Sequence, residues 1–323
     1  MAEDYVYAVA RIRAKELSLL SRSDIESLLS AKDYEDAMQE LSDKGYGDSK
    51  SFSSPDELLS FESAKTWSLV SELTSGDLSS FAVLRYPIDF HNLKAAIKTA
   101  VRGGDGEGVF VAAGTIDPKE LLEAAVNSDF DALPEHLKEA AAEASDALVK
   151  TSDGQLCDII IDKKALEAIL LAGRKSHNEM IEEYAQLYVA LADIKIAVRC
   201  SKTGKTLDFI KAAVADCPAL DTERLIDSAV SGIDKLYEYI LTTEYSDAVP
   251  ALRESLSAYE KWSDNRIMEL IRAQKANAFT VAPIVAYILA RENEIKAIRI
   301  VLYAKQSGLS ESSVRERLRD MYV

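Results

Sequence analysis

The sequence predicts an all-α fold made of three similar helical units. Three observations predict it. Glycine occurs 13 times and proline 7 times in 323 residues, while Ala, Leu, Glu, Lys, Ile and Ser dominate, so helix breakers are scarce. Apolar residues recur at i, i+3, i+4 and i+7, and few runs alternate with the period of a strand. Finally, Asn92-Leu93-Lys94, Asp193-Ile194-Lys195 and Glu294-Ile295-Lys296 read alike and stand 101 residues apart. A fixed period is the mark of repeat architecture.

Taken in order, the elements are announced by caps and stops. Asp24 precedes Ile25, Leu28 and Leu29 and predicts an early capped helix. Each repeated lysine is followed by a turn, at Gly103-Gly104-Asp105-Gly106, at Lys202-Thr203-Gly204-Lys205 and at Gln306-Ser307-Gly308. Beyond each turn comes a capped start, at Asp117-Pro118, Asp221-Thr222 and Ser310-Glu311. The Asp or Ser oxygen can accept from the free N–H groups of a first turn, and Pro118 sits where a missing N–H costs nothing. Leu166, Ile169, Leu170 and Gly173 form one helical face, and Ile226, Val230, Ile233 and Leu236 another. The run Ala278–Ala290 is the most apolar and reads as a buried helix with Pro283 near its start. Its thirteen residues are too few to span a bilayer.

The formal net charge is −16. Nucleic-acid binding needs a basic surface, so that class is excluded. An anionic bilayer would repel most of this surface. A basic protein partner would be attracted, unless the charge serves solubility alone. Met1-Ala2-Glu3-Asp4 is acidic where a secretion signal is basic, so no signal peptide is expected. Cys157, Cys200 and Cys217 are odd in number, lack paired metal spacing and suit a reducing cytosol.

No motif carries a reaction. Gly204-Lys205-Thr206 looks like the end of a phosphate-binding loop, but position 199 is Arg199 where that loop has its first glycine. Gly204 is instead expected to close a helix, as Gly103 and Gly308 do. The Gly103–Gly108 stretch reads as a flexible loop after a helix. His91, His136 and His177 lack the i, i+4 spacing of a helical metal pair. No catalytic residue, cofactor or metal ligand is therefore assigned. The repeated Lys94, Lys195 and Lys296 admit two readings. Glu292 stands four before Lys296 and Asp89 five before Lys94, so these charges could satisfy acids at a helix–helix seam. Alternatively they form a ring of three cations around a pseudo-threefold axis, facing a partner.

The stretch Tyr287–Leu309, centred on Ala290-Arg291-Glu292-Asn293-Glu294-Ile295-Lys296, resembles the end of the C subunit of V-type and A-type ATPases, whose eukaryotic counterpart is the d subunit. Tyr7–Leu20 is similar to that family's opening helix. Arg85-Tyr86-Pro87-Ile88-Asp89-Phe90-His91-Asn92 resembles its first internal repeat, and Asp158–Ala165 the segment opening its middle unit. The Gly103–Gly114 loop looks longer than its counterparts, and Ala192-Asp193 replaces the Asn293-Glu294 pair in the middle repeat.

The resemblance implies an all-helical funnel of three similar units around a pseudo-threefold axis. The expected units are 1–120 with the N-terminal helix, 121–221 and 222–323. It also implies a non-catalytic central-stalk subunit that joins the rotating shaft to the membrane proteolipid ring. Such a subunit passes torque during coupled ATP hydrolysis or synthesis and proton or sodium transport. It would sit on the cytoplasmic face, reaching the membrane only through its partners. Lys94, Lys195 and Lys296 are the candidate partner-binding residues. Two other classes stay open: a cytosolic helical-repeat scaffold, and an enzyme with a nonlocal site in a central cavity.

Overall fold

Helices make up every regular element among the described residues, which in this computed structural model are 5–104, 106 and 108–323. The acidic Met1–Asp4 and two members of the glycine-rich turn, Asp105 and Glu107, lie outside them. The chain starts with α1 (Val6–Glu16), α2 (Arg22–Ser30), α3 (Tyr34–Asp43) and α4 (Pro55–Leu73). It continues through α5 (Ala82–Arg102), α6 (Pro118–Asn127), α7 (Glu135–Thr151), α8 (Gly154–Lys175), α9 (Glu179–Lys202), α10 (Leu207–Ala213), α11 (Thr222–Ser231) and α12 (Ile233–Ile240). It closes with α13 (Val249–Glu254), α14 (Leu256–Arg272), α15 (Ala282–Ser307) and α16 (Glu311–Arg315).

Two compact units result. One comprises Met1–Leu78 with Pro250–Val323, and the other Ser79–Val249. In the first, α15 is the hub, touching α1, α2, α3, α4, α14 and α16. The sequence makes it so. Residues 282–290 are all buried, and a helix apolar on every side belongs at a centre. Pro283 lies in its first turn and Gly308 ends it in the left-handed region at φ 65°. Ile25, Leu28, Leu29 and Leu41 pack with Ile298, Val301 and Leu302 in one core cluster. No described helix is long and apolar enough to cross a membrane.

In the second unit α8 is the middle layer, packed on α5, α7, α9 and α10. Phe90, Leu93 and Ile97 of α5 share a core with Leu121, Leu137 and Ile161. The face Leu166, Ile169, Leu170 and Gly173 is buried as expected. Gly173 is required there, because a Cβ at that position would stand 2.6 Å from the Ala185 Cβ on α9.

The caps at Asp117, Asp221 and Ser310 form as expected, accepting from the N–H of Lys119, Arg224 and Ser313. Gly103, Gly204 and Gly308 all follow helix ends with positive φ. Two expectations are corrected. Asp24 is not the first cap. Ser21 caps α2 and Asp24 closes a reciprocal capping box with it, since a Ser three residues ahead of an acid satisfies two orphan N–H groups instead of one. The face Ile226, Val230, Ile233 and Leu236 does not run along one helix. Gly232, at φ 121° and ψ 164°, ends α11 and restarts the chain as α12, leaving Val230 exposed.

Candidate functional site

The repeated lysines stand on the long helices α5, α9 and α15. Lys94 crosses the α5–α8 seam to Asp162 at 2.6 Å, and one turn on Lys98 reaches Asp158 at 2.5 Å. Lys296 pairs with Asp264 of α14 at 3.1 Å, and Asp264 also accepts from Arg319 Nε at 2.9 Å. Lys195 is half-buried and lines one cavity together with Lys94. The partners differ from those expected. Lys94 takes Asp162 rather than Asp89, and Lys296 takes Asp264 rather than Glu292. An acid on a facing helix reaches the ammonium head, while Asp89 points inward and is fully buried.

Two positions before each lysine lies a buried polar residue, and these three act alike. Asn92, Asp193 and Glu294 are at most 1% exposed. Two residues on is about 200° around a helix, so the polar group faces the core when the lysine faces out. Each receives a backbone N–H from distant chain. Val111 N–H donates to Asn92 Oδ1 at 2.8 Å, and Asn92 Nδ2 returns a bond to the Val111 carbonyl at 2.8 Å. Ala215 N–H donates to Asp193 Oδ1 at 3.0 Å. Leu20 N–H donates to Glu294 Oε2. The 101-residue repeat therefore marks three helices that pin other segments of their own unit. The sequence signal was available: Asp193 has Val189, Ala190, Ile196 and Ala197 at i±4 and i±3, so only a buried position explains it.

In the first and third copies a second polar residue joins, three positions earlier. Asp89 accepts from Thr115 N–H and Thr115 Oγ1, each at 2.6 Å, and lies 3.4 Å from His136 Nε2. Arg85 donates to the carbonyls of Ala113 and Gly114. Arg85, Asp89 and Asn92 thus form an i, i+4, i+7 face that ties the 111–115 segment onto α5. In the third copy Arg291 donates to Glu62 Oε2 at 2.7 Å and also bonds Glu294 and Tyr46. Tyr46 donates to Glu294, and Gly47 N–H to Glu62 Oε1 at 2.8 Å. Burial pushes the Glu294 carboxyl up, against the pull of Arg291 and its hydrogen bonds. Burial also raises Tyr46 well above the ordinary phenol range.

Asp193 has no such cation at its side. Burial raises its carboxyl to about 7, with the Ala215 N–H and the charge of Lys163 acting in the opposite direction. Its Oδ2 has no hydrogen-bond partner among the described residues.

The groups that imitate chemistry are otherwise employed. Lys205 N–H bonds back to the Cys200 carbonyl at 3.0 Å, a helix closure, and Lys205 Nζ reaches Gln155 Oε1 at 2.9 Å. The Gly204 segment is therefore a helix terminus and no phosphate cradle. His136 stacks on Tyr86 with ring centroids 4.0 Å apart. The three cysteines are buried free thiols, and burial pushes Cys217 up to about 11. Among the described residues, no three His, Cys, Asp or Glu side chains gather as metal ligands.

With this arrangement in place, comparison with known proteins is informative. The profile of the ATP synthase (C/AC39) subunit family matches residues 8–317. The C subunit of the V-type sodium ATPase of Enterococcus hirae is 22% identical over 324 residues, covering 96% of this chain and 97% of that protein. The C subunit of the A-type ATP synthase of Desulfurococcus sp. is 22% identical over 338 residues, covering 97% and 90%. That of Halorubrum lacusprofundi is 24% identical over 253 residues, covering 71% and 70%. The profile match runs from α1 past α16 and takes in all three pinning helices, so the chain belongs to the ATP synthase (C/AC39) subunit family.

Proposed function

We propose that the chain is a non-catalytic central-stalk subunit of a V/A-type rotary ATPase. It links the rotating shaft to the membrane proteolipid ring and transmits torque between ATP chemistry and proton or sodium transport. The family match along nearly the whole length carries this reading. In it, three similar helical units, 1–120, 121–221 and 222–323, surround a pseudo-threefold axis as a funnel. The matching inward residues Asn92, Asp193 and Glu294 support that repeat. The subunit sits at the cytoplasmic face and meets the membrane through its partners, in keeping with the absence, among the described residues, of a helix long and apolar enough to span it. The acidic surface, at net −16, favours a relatively basic shaft.

The test is reconstitution of the rotary complex with and without this chain. Omission should leave ATP hydrolysis by the catalytic head intact and abolish ion transport driven by it. Undiminished transport without the chain overturns the reading. The repeated lysines are tested by replacing Lys94, Lys195 and Lys296 with Gln, singly and together. The Lys94 and Lys296 ion pairs are open to solvent on at least one side, where such pairs contribute about 0–1 kcal/mol each, so these single variants should fold. In the triple variant, normal folding with failed assembly is the outcome expected of partner-facing cations.

A further inference from the structure

Residues 214–221 join α10 to α11 without helix, yet Val214, Ala215 and Cys217 in this strap are at most 2% exposed. A buried segment outside a helix needs partners for its main chain. Two bonds tie it to α9. Ala215 N–H donates to Asp193 Oδ1 at 3.0 Å, and the Cys217 thiol donates to the Gln186 carbonyl at 3.5 Å. A thiol is a weak donor, so the polar hold falls mainly on Asp193. That acceptor is incompletely served. Asp193 is fully buried, and its Oδ2 has no hydrogen-bond partner among the described residues. Three positions before Glu294 stands Arg291, whereas three before Asp193 stands Ala190, also fully buried. A methyl group thus occupies the place from which the third copy supplies its cation. Lys163 of α8 acts on the carboxyl from a distance, its ammonium donating to the Lys211 carbonyl at 2.9 Å. The strap brings Asp216, which disfavours a second negative charge, and the Cys217 thiol, which burial keeps neutral. From α10, α11 and α12, which also pack on α9 or its strap, no charge acts on Asp193 among the described residues.

We propose that Asp193 is a proton-operated latch on the strap between α10 and α11. Protonated, its carboxyl is neutral and Oδ1 keeps the Ala215 N–H. Ionised, it is a buried carboxylate with one hydrogen bond and no adjacent cation, a costly state. Lifting the strap relieves it by letting water reach Oδ2. α10 stays packed on α8 and α11 on α12, so the opening is confined to the connection. With the strap closed, burial holds the Asp193 carboxyl at about 7; in water it titrates near 3.8. The closed form therefore keeps a proton that the open form releases. Opening grows as pH rises from about 4 to about 7 and is constant above. The latch goes beyond the stalk reading and stands without it.

The readout is Cys217, which the closed strap buries. The full chain is treated with 4,4′-dithiodipyridine at pH 5 and at pH 8, beside Asp193→Asn, and labelled cysteines are located by peptide mass spectrometry. Asn keeps the accepting oxygen and carries no charge, so dividing by the variant cancels the titration of the thiol itself. The rate at Cys217, wild type over Asp193→Asn, should rise at least about tenfold from pH 5 to pH 8. The same ratio at Cys157 and Cys200 should stay level. A Cys217 ratio unchanged with pH overturns the proposal. An equal rise at all three cysteines also overturns it, since the whole unit then unfolds and no latch exists. If Asp193→Asn does not fold, the rate at Cys217 over that at Cys157 within the wild type carries the test. It should show the same rise, and a flat profile overturns the latch.

Discussion

At the scale of single residues, the buried charges of the pinning helices make opposite demands. Asp193 titrates near 7 in the folded chain and near 3.8 when exposed. The native state therefore holds a proton that the unfolded chain has released, between those two values. Stability falls as pH rises from about 4 to about 7 and levels off above. Asp193→Asn should remove that slope. It keeps the oxygen that accepts from Ala215 N–H, and Asn92 is the natural precedent for an amide at this position. At pH 8 the variant should be more stable by on the order of 1–3 kcal/mol, with the gap closing toward pH 4; urea unfolding at the two pH values measures it. Arg291 presents the reverse case. Arg291→Met leaves Glu294 buried without its cation and Glu62 with Lys65 alone, 3.5 Å away, and should cost about 3–5 kcal/mol at pH 7. The loss should shrink toward pH 4, because burial raises the Glu294 carboxyl, and once protonated it no longer needs a counter-charge. A pH-independent loss would mean that the guanidinium matters for packing alone.

Between elements, α8 comes close to α9 at Gly173. Two effects compete when Gly173 becomes Ala. Helix propensity favours Ala by about 1 kcal/mol, whereas a Cβ 2.6 Å from that of Ala185 and 3.4 Å from the Glu182 Cα forces the helices apart, at about 1–3 kcal/mol. The net change should be destabilising, and Gly173→Ala combined with Ala185→Gly should recover part of it; additive losses in thermal unfolding would refute the contact. This scale also separates what a sequence reveals from what it hides. Caps at Asp117, Asp221 and Ser310 were legible because a cap involves residues only two or three apart. The helix end at Gly204 was legible for the same reason, and so was the buried start of α15. The break at Gly232 was hidden, since an apolar period can continue across a glycine while the axis does not. The acids facing Lys94 and Lys296 were hidden too, because Asp162 and Asp264 are chosen by which helices meet. The 101-residue repeat pointed to the right turn of each helix but drew attention to the outward lysine. The inward Asn92, Asp193 and Glu294 gain their meaning from backbone segments that local sequence does not name.

For the whole molecule, the contiguous stretch Ser79–Val249 has its own core, whereas the other unit is assembled from both ends of the chain. Residues 79–249 expressed alone should unfold cooperatively in urea with a helical circular-dichroism spectrum, and non-cooperative melting would deny that autonomy. The discontinuous unit has a different fate during synthesis. Ile25, Leu28 and Leu29 leave the ribosome well before Ile298, Val301 and Leu302, which share their core and lie about 270 residues further on. At ~5–20 residues per second the wait is on the order of tens of seconds. During that interval α2 and α3 lack the α15 residues that complete their core, while the middle of the chain already has all its parts. A chaperone that holds the nascent N-terminal segment then serves this protein more than one that acts on the finished chain. A message truncated before Ala282 leaves that face permanently without its α15 cover, a species destined for aggregation or degradation.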